Sequence, residues 1–390
     1  MRHALEGSQA IARAVALCRP GVVAAYPITP QTHIVENISK LVADGVLKTE
    51  LVSVESEFSA ASVVLGAASA GARAYTASSS QGILLMAEVL FNIAGLRVPM
   101  VLTCANRAVS APLSIWNDHQ DSMAVRDSGW IQLHCQSNQE AVDTTIQAYR
   151  IAEACELPVM VCLDGFVLTH TLEPIDLPDP KLVDKYLPPF TFSRALDPSD
   201  PTSVGTLVGP EYYAEVRHTQ HVAMERAIDE IVAADVAWEK LTKRSCGGLL
   251  TTYGDASAKT AILAMGSTVG TLRAAMEVFP QRKKVKIINL RCFRPFPGAA
   301  IREACAGLAD LIVLDRSMSP GMGGVLGCEV RAALAEGRSK TKVHNFAVGF
   351  GGRDIPLDIY PRILEAAKEG DGTGFSVFDA EMDKIPLEDR

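Results

Sequence analysis

The sequence lacks the charge balance that is typical of nucleic-acid-binding proteins. Its 390 residues include 37 Lys and Arg but 45 Asp and Glu, which gives a formal net charge of −8. Binding to phosphate groups needs a surplus of basic residues on one face, so we expect no nucleic-acid partner. The one basic cluster, Arg282 to Lys284 with Lys286, is short, and we interpret it as a solvated connection between a helix and a strand.

Signals for membranes and for metal-binding cysteines are missing as well. No apolar run approaches the ~20 residues that cross a bilayer, and no signal-peptide h-region follows Met1. We therefore expect no membrane partner and a cytoplasmic location. The nine cysteines include no Cys-x-x-Cys pair and no His/Cys pair with zinc-ligand spacing. We expect neither a disulfide framework, nor a structural zinc, nor an iron-sulfur cluster in this chain.

What the sequence does contain is a regular alternation of short β-rich runs and helical stretches. Apolar residues make up 48% of it, which excludes a disordered chain. The predicted strands are 22–26, 51–54, 72–76, 99–103 and 158–163, and the predicted helices are 8–18, 31–44, 58–70, 82–94 and 138–154. Such alternation predicts an α/β fold with a parallel sheet, in which ligands bind at the carboxyl ends of the strands.

The chain divides into four predicted segments. Residues 1–172 form the first α/β domain. Residues 173–247 are a Pro-rich linker, where proline blocks helix, followed by one long helix over 211–243. Residues 248–366 form a smaller α/β domain with strands at 260–265, 285–290 and 311–315, and residues 367–390 are a C-terminal tail.

Two candidate site residues follow the first two strands. Thr29 lies between Pro27 and Pro30, which hold its backbone nearly rigid, so it is either a substrate contact or part of a turn that caps a helix. Glu55-Ser56-Glu57 precedes a helix dense in Ala, Gly and Ser. Glutamate at this junction is either a helix cap or a functional carboxylate, and the small residues admit a close backbone or a cofactor ring.

A third candidate, Arg107, comes directly after Asn106 at the end of the fourth strand. Arginine at a strand end suits bidentate recognition of a carboxylate. The alternative is a salt bridge with an aspartate of the following loop, 108–127. Within that loop, residues 118–121 offer oxygen and nitrogen ligands, but we prefer to interpret them as a hydrogen-bonded loop rather than a metal site.

These motifs and later segments together carry a family resemblance. The segments are YPITPQT (26–32), VESEFSA (54–60), GARAYTASSSQGILLM (71–86), NRAVSAPLSIWNDHQDSMAVRDSGW (106–130), LPVMVCLDGFVLTH (157–170), FRPFP (293–297) and GFGGRDI (349–355). In this order the sequence resembles the α subunit of 2-oxoacid:acceptor oxidoreductases, of which pyruvate:ferredoxin oxidoreductase is the best-known member. The resemblance implies a thiamine-diphosphate pyrimidine-binding-type parallel-sheet domain followed by a smaller transketolase C-terminal-like α/β domain.

The resemblance also implies roles for the three candidates. In similar enzymes a glutamate hydrogen-bonds N1′ of the cofactor's aminopyrimidine and promotes loss of the proton from thiazolium C2. Glu57 matches that residue, and Glu55 does not. Thr29 and Arg107 match the residues that hold the substrate carboxylate. The implied activity is oxidative decarboxylation of a 2-oxo acid with coenzyme A to an acyl-CoA and CO2.

The implied cofactors and partners are spread over several subunits. Thiamine diphosphate is shared with a β subunit that carries the diphosphate site, while magnesium and [4Fe-4S] clusters lie on partner subunits, with γ- and δ-type subunits expected. The electron acceptor is ferredoxin, or NAD through a flavin subunit. Gly370-Asp371-Gly372 resembles the start of the diphosphate motif, but no Asn follows it, and we interpret it as a turn.

The residue at position 29 narrows the substrate class. Members similar to the oxalate-using enzyme carry arginine there, as a second cation suits a dianion. Thr29 therefore favours a 2-oxo monoacid, with pyruvate expected and an aryl glyoxylate or branched-chain 2-oxo acid as the alternative. A non-catalytic scaffold subunit is a further alternative, and the presence of all three candidates together argues against it.

Overall fold

A computed structural model describes residues 2–280 and 284–389 of the chain. Arg282 and Lys283 of the predicted basic connection lie outside the described residues. Contacts divide the chain into two compact units, Met1–Thr251 with Leu290–Pro297 and Thr252–Asn289 with Gly298–Arg390. The boundaries at 172, 247 and 366 stay predictions.

The two units contain strands and helices that alternate along most of the chain. The strands are β1 (Arg2–Glu6), β2 (Val22–Ala25), β3 (Glu50–Ser53), β4 (Ala74–Ser78), β5 (Val101–Asn106), β6 (Ile131–Cys135), β7 (Val159–Asp164), β8 (Leu172–Asp176), β9 (Leu250–Gly254), β10 (Thr260–Ala264), β11 (Val285–Leu290), β12 (Cys292–Arg294), β13 (Asp310–Asp315), β14 (Met318–Ser319), β15 (Gly323–Gly324), β16 (Lys342–Ala347) and β17 (Ser376–Val377). The helices are α1 (Gly7–Cys18), α2 (Thr32–Ala43), α3 (Glu57–Ser69), α4 (Ser80–Leu85), α5 (Ala87–Gly95), α6 (Gln120–Ala124), α7 (Asn138–Cys155), α8 (Pro180–Tyr186), α9 (Pro210–Thr242), α10 (Thr268–Val278), α11 (Gly298–Ala304), α12 (Val325–Glu336) and α13 (Ile359–Glu369).

The first unit is built on a seven-stranded sheet in the order β12-β6-β7-β5-β4-β2-β3. Neighbouring strands are parallel, except that β12 runs antiparallel to β6. Every residue of β4, β5, β6 and β7 is buried, as is typical of a parallel sheet covered by helices on both faces. The carboxyl ends of the parallel strands therefore meet along one edge of the sheet.

The second unit has a six-stranded sheet in the order β17-β16-β13-β10-β11-β9. The pairs β10–β11, β10–β13, β13–β16 and β16–β17 are parallel. Its core is aliphatic, with Ile262, Ile287 and Ile312 fully buried against helices α10 and α13. The prediction of parallel-sheet α/β architecture is confirmed. Among the described residues no helix is both long and apolar enough to cross a membrane.

The Pro-rich passage differs from its predicted form. Leu172–Asp176 is strand β8, which pairs antiparallel with β1 and places Pro174 opposite Ala4. Proline is tolerated there because a two-stranded ribbon has edges on both sides. Residues Pro180–Tyr186 form helix α8, since proline at the first helical position loses no hydrogen bond and Asp179 accepts the Lys181 N–H at 2.8 Å. The prediction that proline blocks helix throughout this passage is wrong.

Candidate functional site

The three predicted site residues follow strands that are close neighbours in the first sheet. Thr29 follows β2, Glu57 opens α3 after β3, and Arg107 comes directly after β5. The strand order β5-β4-β2-β3 brings these positions to one edge, with the end of β4 between them. Ser80 and Gly82 of helix α4 lie at that β4 end. The sheet topology thus gathers the candidates, as the alternation of strands and helices predicts.

Arg107 contacts the Thr29 loop directly. Its residue surface is only 7% exposed, and its Nη1 donates to the Thr29 carbonyl oxygen at 2.8 Å. Nε donates to the Ser114 carbonyl oxygen at 3.0 Å, which fixes the plane of the guanidinium. Burial lowers the pKa of Arg107, and the nearby Asp121 opposes that shift. Nη2 makes no hydrogen bond within the described residues, so one edge of the guanidinium is left for an anionic ligand.

The alternative interpretation of Arg107 was an ion pair with an aspartate of the loop that follows it. In the described chain its side chain donates to two carbonyl oxygens instead. Asp121 bonds to the backbone N–H of Arg107, at 2.9 Å, rather than to the guanidinium. The positive charge therefore has no hydrogen-bonded carboxylate within the described residues.

The loop that carries Thr29 is fixed by Gln31, which the sequence analysis did not single out. The Gln31 side chain is fully buried. Its Oε1 accepts the Ile28 N–H at 3.2 Å, and its Nε2 donates to the Ala77 carbonyl oxygen of β4 at 2.9 Å. Thr29 itself is exposed and precedes a cis peptide bond to Pro30. The only signal for Gln31 in the sequence was its place beside the two prolines.

Glu55 and Glu57 have different surroundings, although one residue separates them. Glu55 is exposed, and its carboxylate accepts the Ser59 hydroxyl, which lowers the pKa of Glu55. Glu57 is only 6% exposed and follows Ser56, the N-cap of α3, whose side chain accepts the Ser59 N–H at 3.2 Å. No described residue hydrogen-bonds the Glu57 carboxylate. It is thus a buried acceptor without a hydrogen-bond partner among the described residues, at a helix N-terminus that favours negative charge.

Gly82 provides the space that the Glu57 side chain occupies. A Cβ on Gly82 would lie 2.7 Å from Glu57 Oε1 and 2.3 Å from Ser78 Oγ, distances that no real methyl group tolerates. Ser78 Oγ is itself buried without a hydrogen-bond partner in the described chain. By contrast, nothing described lies within 4 Å of a Cβ on Gly66, so α3 has no such close contact at that glycine.

A buried carboxylate, Asp121, joins the ends of β4 and β5. It accepts the backbone N–H groups of Ser80 and Arg107, both at 2.9 Å, and that of Ser122 at 2.8 Å. It also accepts the Asn106 side-chain amide at 2.8 Å. Burial raises the pKa of Asp121 to about 7, although these hydrogen bonds lower it. The segment 118–121, interpreted from the sequence as a hydrogen-bonded loop, runs into the short helix α6, which contains Asp121.

Comparisons with known proteins agree with this architecture. The family profile described as pyruvate flavodoxin/ferredoxin oxidoreductase, thiamine diP-bdg, matches residues 13–234, and that of pyruvate:ferredoxin oxidoreductase core domain II matches residues 258–359. Pyruvate synthase subunit PorA of Methanosarcina barkeri is 43% identical over 97% of this chain and 96% of its own length. PorA of Methanothermobacter thermautotrophicus is 46% identical over 90% and 91%. Ketoisovalerate oxidoreductase subunit VorA of Pyrococcus abyssi is 37% identical over 95% and 94%.

A solved structure shares the fold. The 2-oxoglutarate:ferredoxin oxidoreductase from Magnetococcus marinus, with 2-oxoglutarate, coenzyme A and succinyl-CoA bound, matches with a TM-score of 0.76 at 21% identity. The match covers 93% of this chain and 65% of the other. This chain thus spans about two thirds of the matched chain, and at this identity the likeness concerns the fold alone.

The close contact at Gly82 makes a stability prediction. Gly82→Ala forces a methyl group into Ser78 and Glu57, and we expect a loss of about 1 to 3 kcal/mol in unfolding free energy from overpacking. Gly95→Ala is the matched control, because nothing described lies within 4 Å of its Cβ position and alanine there is neutral or stabilising. Chemical denaturation of the purified chain measures both. Equal stability of the two variants would contradict the close contact.

The raised pKa of Asp121 makes a prediction about pH. Its pKa of about 7 in the folded chain exceeds the ordinary aspartate value of 3.8, so the folded state binds the proton more tightly. The stability that Asp121 contributes is therefore greatest below pH 4 and is lost as pH rises to about 7. We expect the stability difference between wild type and Asp121→Asn to fall by about 2 kcal/mol from pH 5 to pH 7, then stay constant. A difference that stays flat from pH 5 to pH 7 would contradict the raised pKa, because it would show a carboxylate that is ionised throughout this range.

Proposed function

Because this chain belongs to the pyruvate:ferredoxin oxidoreductase family, we propose that Thr29 and Arg107 hold the carboxylate of a 2-oxo acid and that Glu57 binds the aminopyrimidine of thiamine diphosphate. The chain is an α subunit of a thiamine-diphosphate-dependent 2-oxoacid:ferredoxin oxidoreductase, and the family predicted from the sequence is confirmed. The observation that carries the proposal is the buried Glu57 carboxylate without a described partner, on the same sheet edge as the Arg107 guanidinium.

The residues around Glu57 fit the cofactor's aminopyrimidine. To bind a planar ring with hydrogen-bonding edges, a protein needs a carboxylate that can accept or donate a hydrogen bond at the ring edge and enough space for the ring beside it. Glu57 supplies the carboxylate, and Ser78 Oγ is a second buried polar atom without a described partner. Because Gly82 has no side chain, the Glu57 carboxylate can occupy its position next to α4. When bound, thiamine diphosphate supplies the nucleophilic carbon that attacks the 2-oxo carbon.

Glu57 acts on a proton at one atom of the cofactor. Its carboxyl group hydrogen-bonds N1′ of the aminopyrimidine and shares the proton there, which increases the basicity of the exocyclic nitrogen. Low solvent access strengthens this hydrogen bond, because a buried charge is less screened than one in water. The exposed Glu55 lacks that environment and already bonds Ser59. Glu57 therefore has the role of general acid and base, and Glu55 remains a surface residue.

Arg107 and Thr29 orient the substrate. The Nη2 edge of Arg107 pairs with the carboxylate of the 2-oxo acid, and the Thr29 hydroxyl donates a further hydrogen bond. Because Arg107 also bonds the Thr29 carbonyl oxygen, the two groups keep a fixed relation to each other. A charge-assisted hydrogen bond of this kind contributes about 1.5 to 3 kcal/mol. One cation and one hydroxyl suit a monoanion.

Pyruvate is the proposed substrate, since relatives named pyruvate synthase subunits are 40% to 46% identical to this chain. A branched-chain 2-oxo acid is the second candidate, because a relative at 37% identity is named for ketoisovalerate.

The relatives are named as subunits, so this chain belongs to a multi-subunit enzyme. We propose that a β-type subunit supplies the diphosphate and magnesium site and that γ- and δ-type subunits complete the complex. In this proposal, iron-sulfur clusters of the partner subunits pass electrons to ferredoxin, or to NAD through a flavin subunit. Coenzyme A takes the acyl group. The cytoplasm stays the predicted location.

The role of Glu57 has a direct test in the assembled complex. Glu57→Gln removes the carboxyl proton, so we expect hydrogen-deuterium exchange at thiazolium C2 to slow about a hundredfold or more. Glu55→Gln is the matched control and should exchange as the wild type does. Size-exclusion chromatography confirms that both complexes assemble. Slow exchange in Glu55→Gln with normal exchange in Glu57→Gln would reverse the assignment.

Carboxylate recognition is tested with substrate. Arg107→Ala should lower kcat/KM for pyruvate roughly 10- to 150-fold, the equivalent of one charge-assisted hydrogen bond. Arg107→Lys should recover part of this loss, because it keeps the charge and loses the planar geometry. Thr29→Val keeps the shape and should cost less. Exchange at C2 without substrate is the internal control and should stay normal in all three, whereas slowed exchange would show that the cofactor site itself had changed.

A further inference from the structure

Three side chains outside the proposed substrate contacts converge near the same sheet edge. They are Glu6 at the junction of β1 and α1, His33 in the first turn of α2, and His170 between β7 and β8. Each offers one ligand atom, and these atoms all lie within 4.8 Å of one another. We propose that Glu6, His33 and His170 form a binding site for a divalent transition-metal ion such as Zn²⁺. The fold assembles these residues from three distant segments, so no sequence spacing revealed them.

Two of the three ligand atoms already face each other. The Nδ1 atom of His33 lies 2.8 Å from Glu6 Oε1. The rings of His33 and His170 are 4.5 Å apart between centroids, with an angle of 34° between their planes. Tetrahedral zinc with bonds of 2.0 to 2.1 Å places its ligand atoms about 3.4 Å apart. A small rotation of the three side chains therefore brings them to coordination distance.

Neighbouring groups orient the proposed ligands. The Nδ1 atom of His170 lies 2.7 Å from Thr169 Oγ1, which also accepts the Phe166 N–H at 2.8 Å. The Phe166 ring packs against His170 at 4.8 Å between centroids. On the other side, the Glu6 N–H donates to Gln9 Oε1 at 3.4 Å. Such outer contacts are typical of histidine metal ligands, because they fix the ring and its tautomer.

The donor set determines which metals fit. Two imidazoles and one carboxylate match the His₂Glu set of zinc sites that keep an open fourth position. Imidazole suits Zn²⁺, Co²⁺, Ni²⁺ and Cu²⁺, whereas Mg²⁺ and Ca²⁺ prefer oxygen ligands alone. The side chains of His33 and Glu6 are 45% and 23% exposed, so an ion can enter and water can complete its coordination. The bound ion would link the first turns of α1 and α2 to the β7–β8 connection.

Without an ion, Glu6 and His33 form a partly exposed hydrogen-bonded pair, and exposed pairs of this kind stabilise a protein little. Titration of the full chain with Zn²⁺ by calorimetry, and with Co²⁺ by visible absorption, distinguishes these states without substrate or cofactor. We expect one ion per chain, a rise in melting temperature with added Zn²⁺, and a Co²⁺ spectrum without thiolate charge-transfer bands.

Variants identify the ligands. His170→Ala and the isosteric Glu6→Gln should each weaken Zn²⁺ affinity about 10- to 100-fold or more. His221→Ala is the matched control, because His221 is exposed and its one carboxylate neighbour among the described residues is Glu225, at 3.5 Å. It should bind as the wild type does. If His170→Ala fails to fold, Glu6→Gln still decides the question.

Four outcomes would overturn the proposal, three of them in the variants or the Co²⁺ spectrum. These are wild-type affinity in Glu6→Gln, loss of binding in His221→Ala, and thiolate bands in the Co²⁺ spectrum, which would indicate cysteine ligation. Absence of Zn²⁺ binding to the wild-type chain at millimolar concentration would overturn it as well. None of these results bears on Thr29, Glu57 or Arg107, so the site can fail while the proposed function stands.

Discussion

Hydrogen bonds to one buried carboxylate, that of Asp121, hold the centre of the proposed site together. Asp121 receives N–H groups from Ser80 at the end of β4 and from Arg107 at the end of β5, and the Asn106 amide as well. A buried carboxylate costs free energy unless hydrogen-bond donors surround it. The ends of β4 and β5 are therefore stabilised in the arrangement that directs their N–H groups at Asp121. The Arg107 side chain, thus anchored at its backbone, reaches the Thr29 loop.

The topology of the parallel sheet places chemically different groups at adjacent strand ends. At the β3 end, Glu57 is a buried acceptor beside Gly82. At the β5 end, Arg107 is a buried donor whose Nη2 lacks a partner among the described residues. The Glu57 carboxylate is suited to hydrogen-bond a ring, and the Arg107 guanidinium is suited to bind an anion. Because these groups lie on different strands, the proposed cofactor and substrate would be bound by independent contacts. Helices α3 and α4 support Glu57, and Asp121 of α6 supports Arg107.

Much of this arrangement was predictable from the sequence, because local patterns encode it. Short β-rich runs predicted β2, β4, β5 and β7, and the position of Thr29, Glu57 and Arg107 just after strands marked them as candidates. Their roles came from the family resemblance, since a lone Thr or Arg after a strand is chemically ambiguous. Strand pairings between segments that are distant in the sequence were not predicted, because no local pattern encodes them. Strand β1 pairs with β8 across about 170 residues, and β12 joins β6 from a distant segment.

The supporting contacts were missed for the same reason. Gln31 and Asp121 act through hydrogen bonds to strand ends that are remote in sequence, and Glu6, His33 and His170 meet only in the folded chain. Proline at the start of α8 was misinterpreted because its effect depends on its position within the helix.

The most direct test of the account is an experimental structure of the assembled enzyme with thiamine diphosphate and a 2-oxo acid bound. It predicts the Glu57 carboxyl within about 2.6 to 3.2 Å of N1′ and the Arg107 Nη2 atom on the substrate carboxylate, with Arg107 still bonded to the Thr29 carbonyl oxygen. A substrate carboxylate held by other residues, or an aminopyrimidine whose N1′ is bonded by a group other than Glu57, would contradict it.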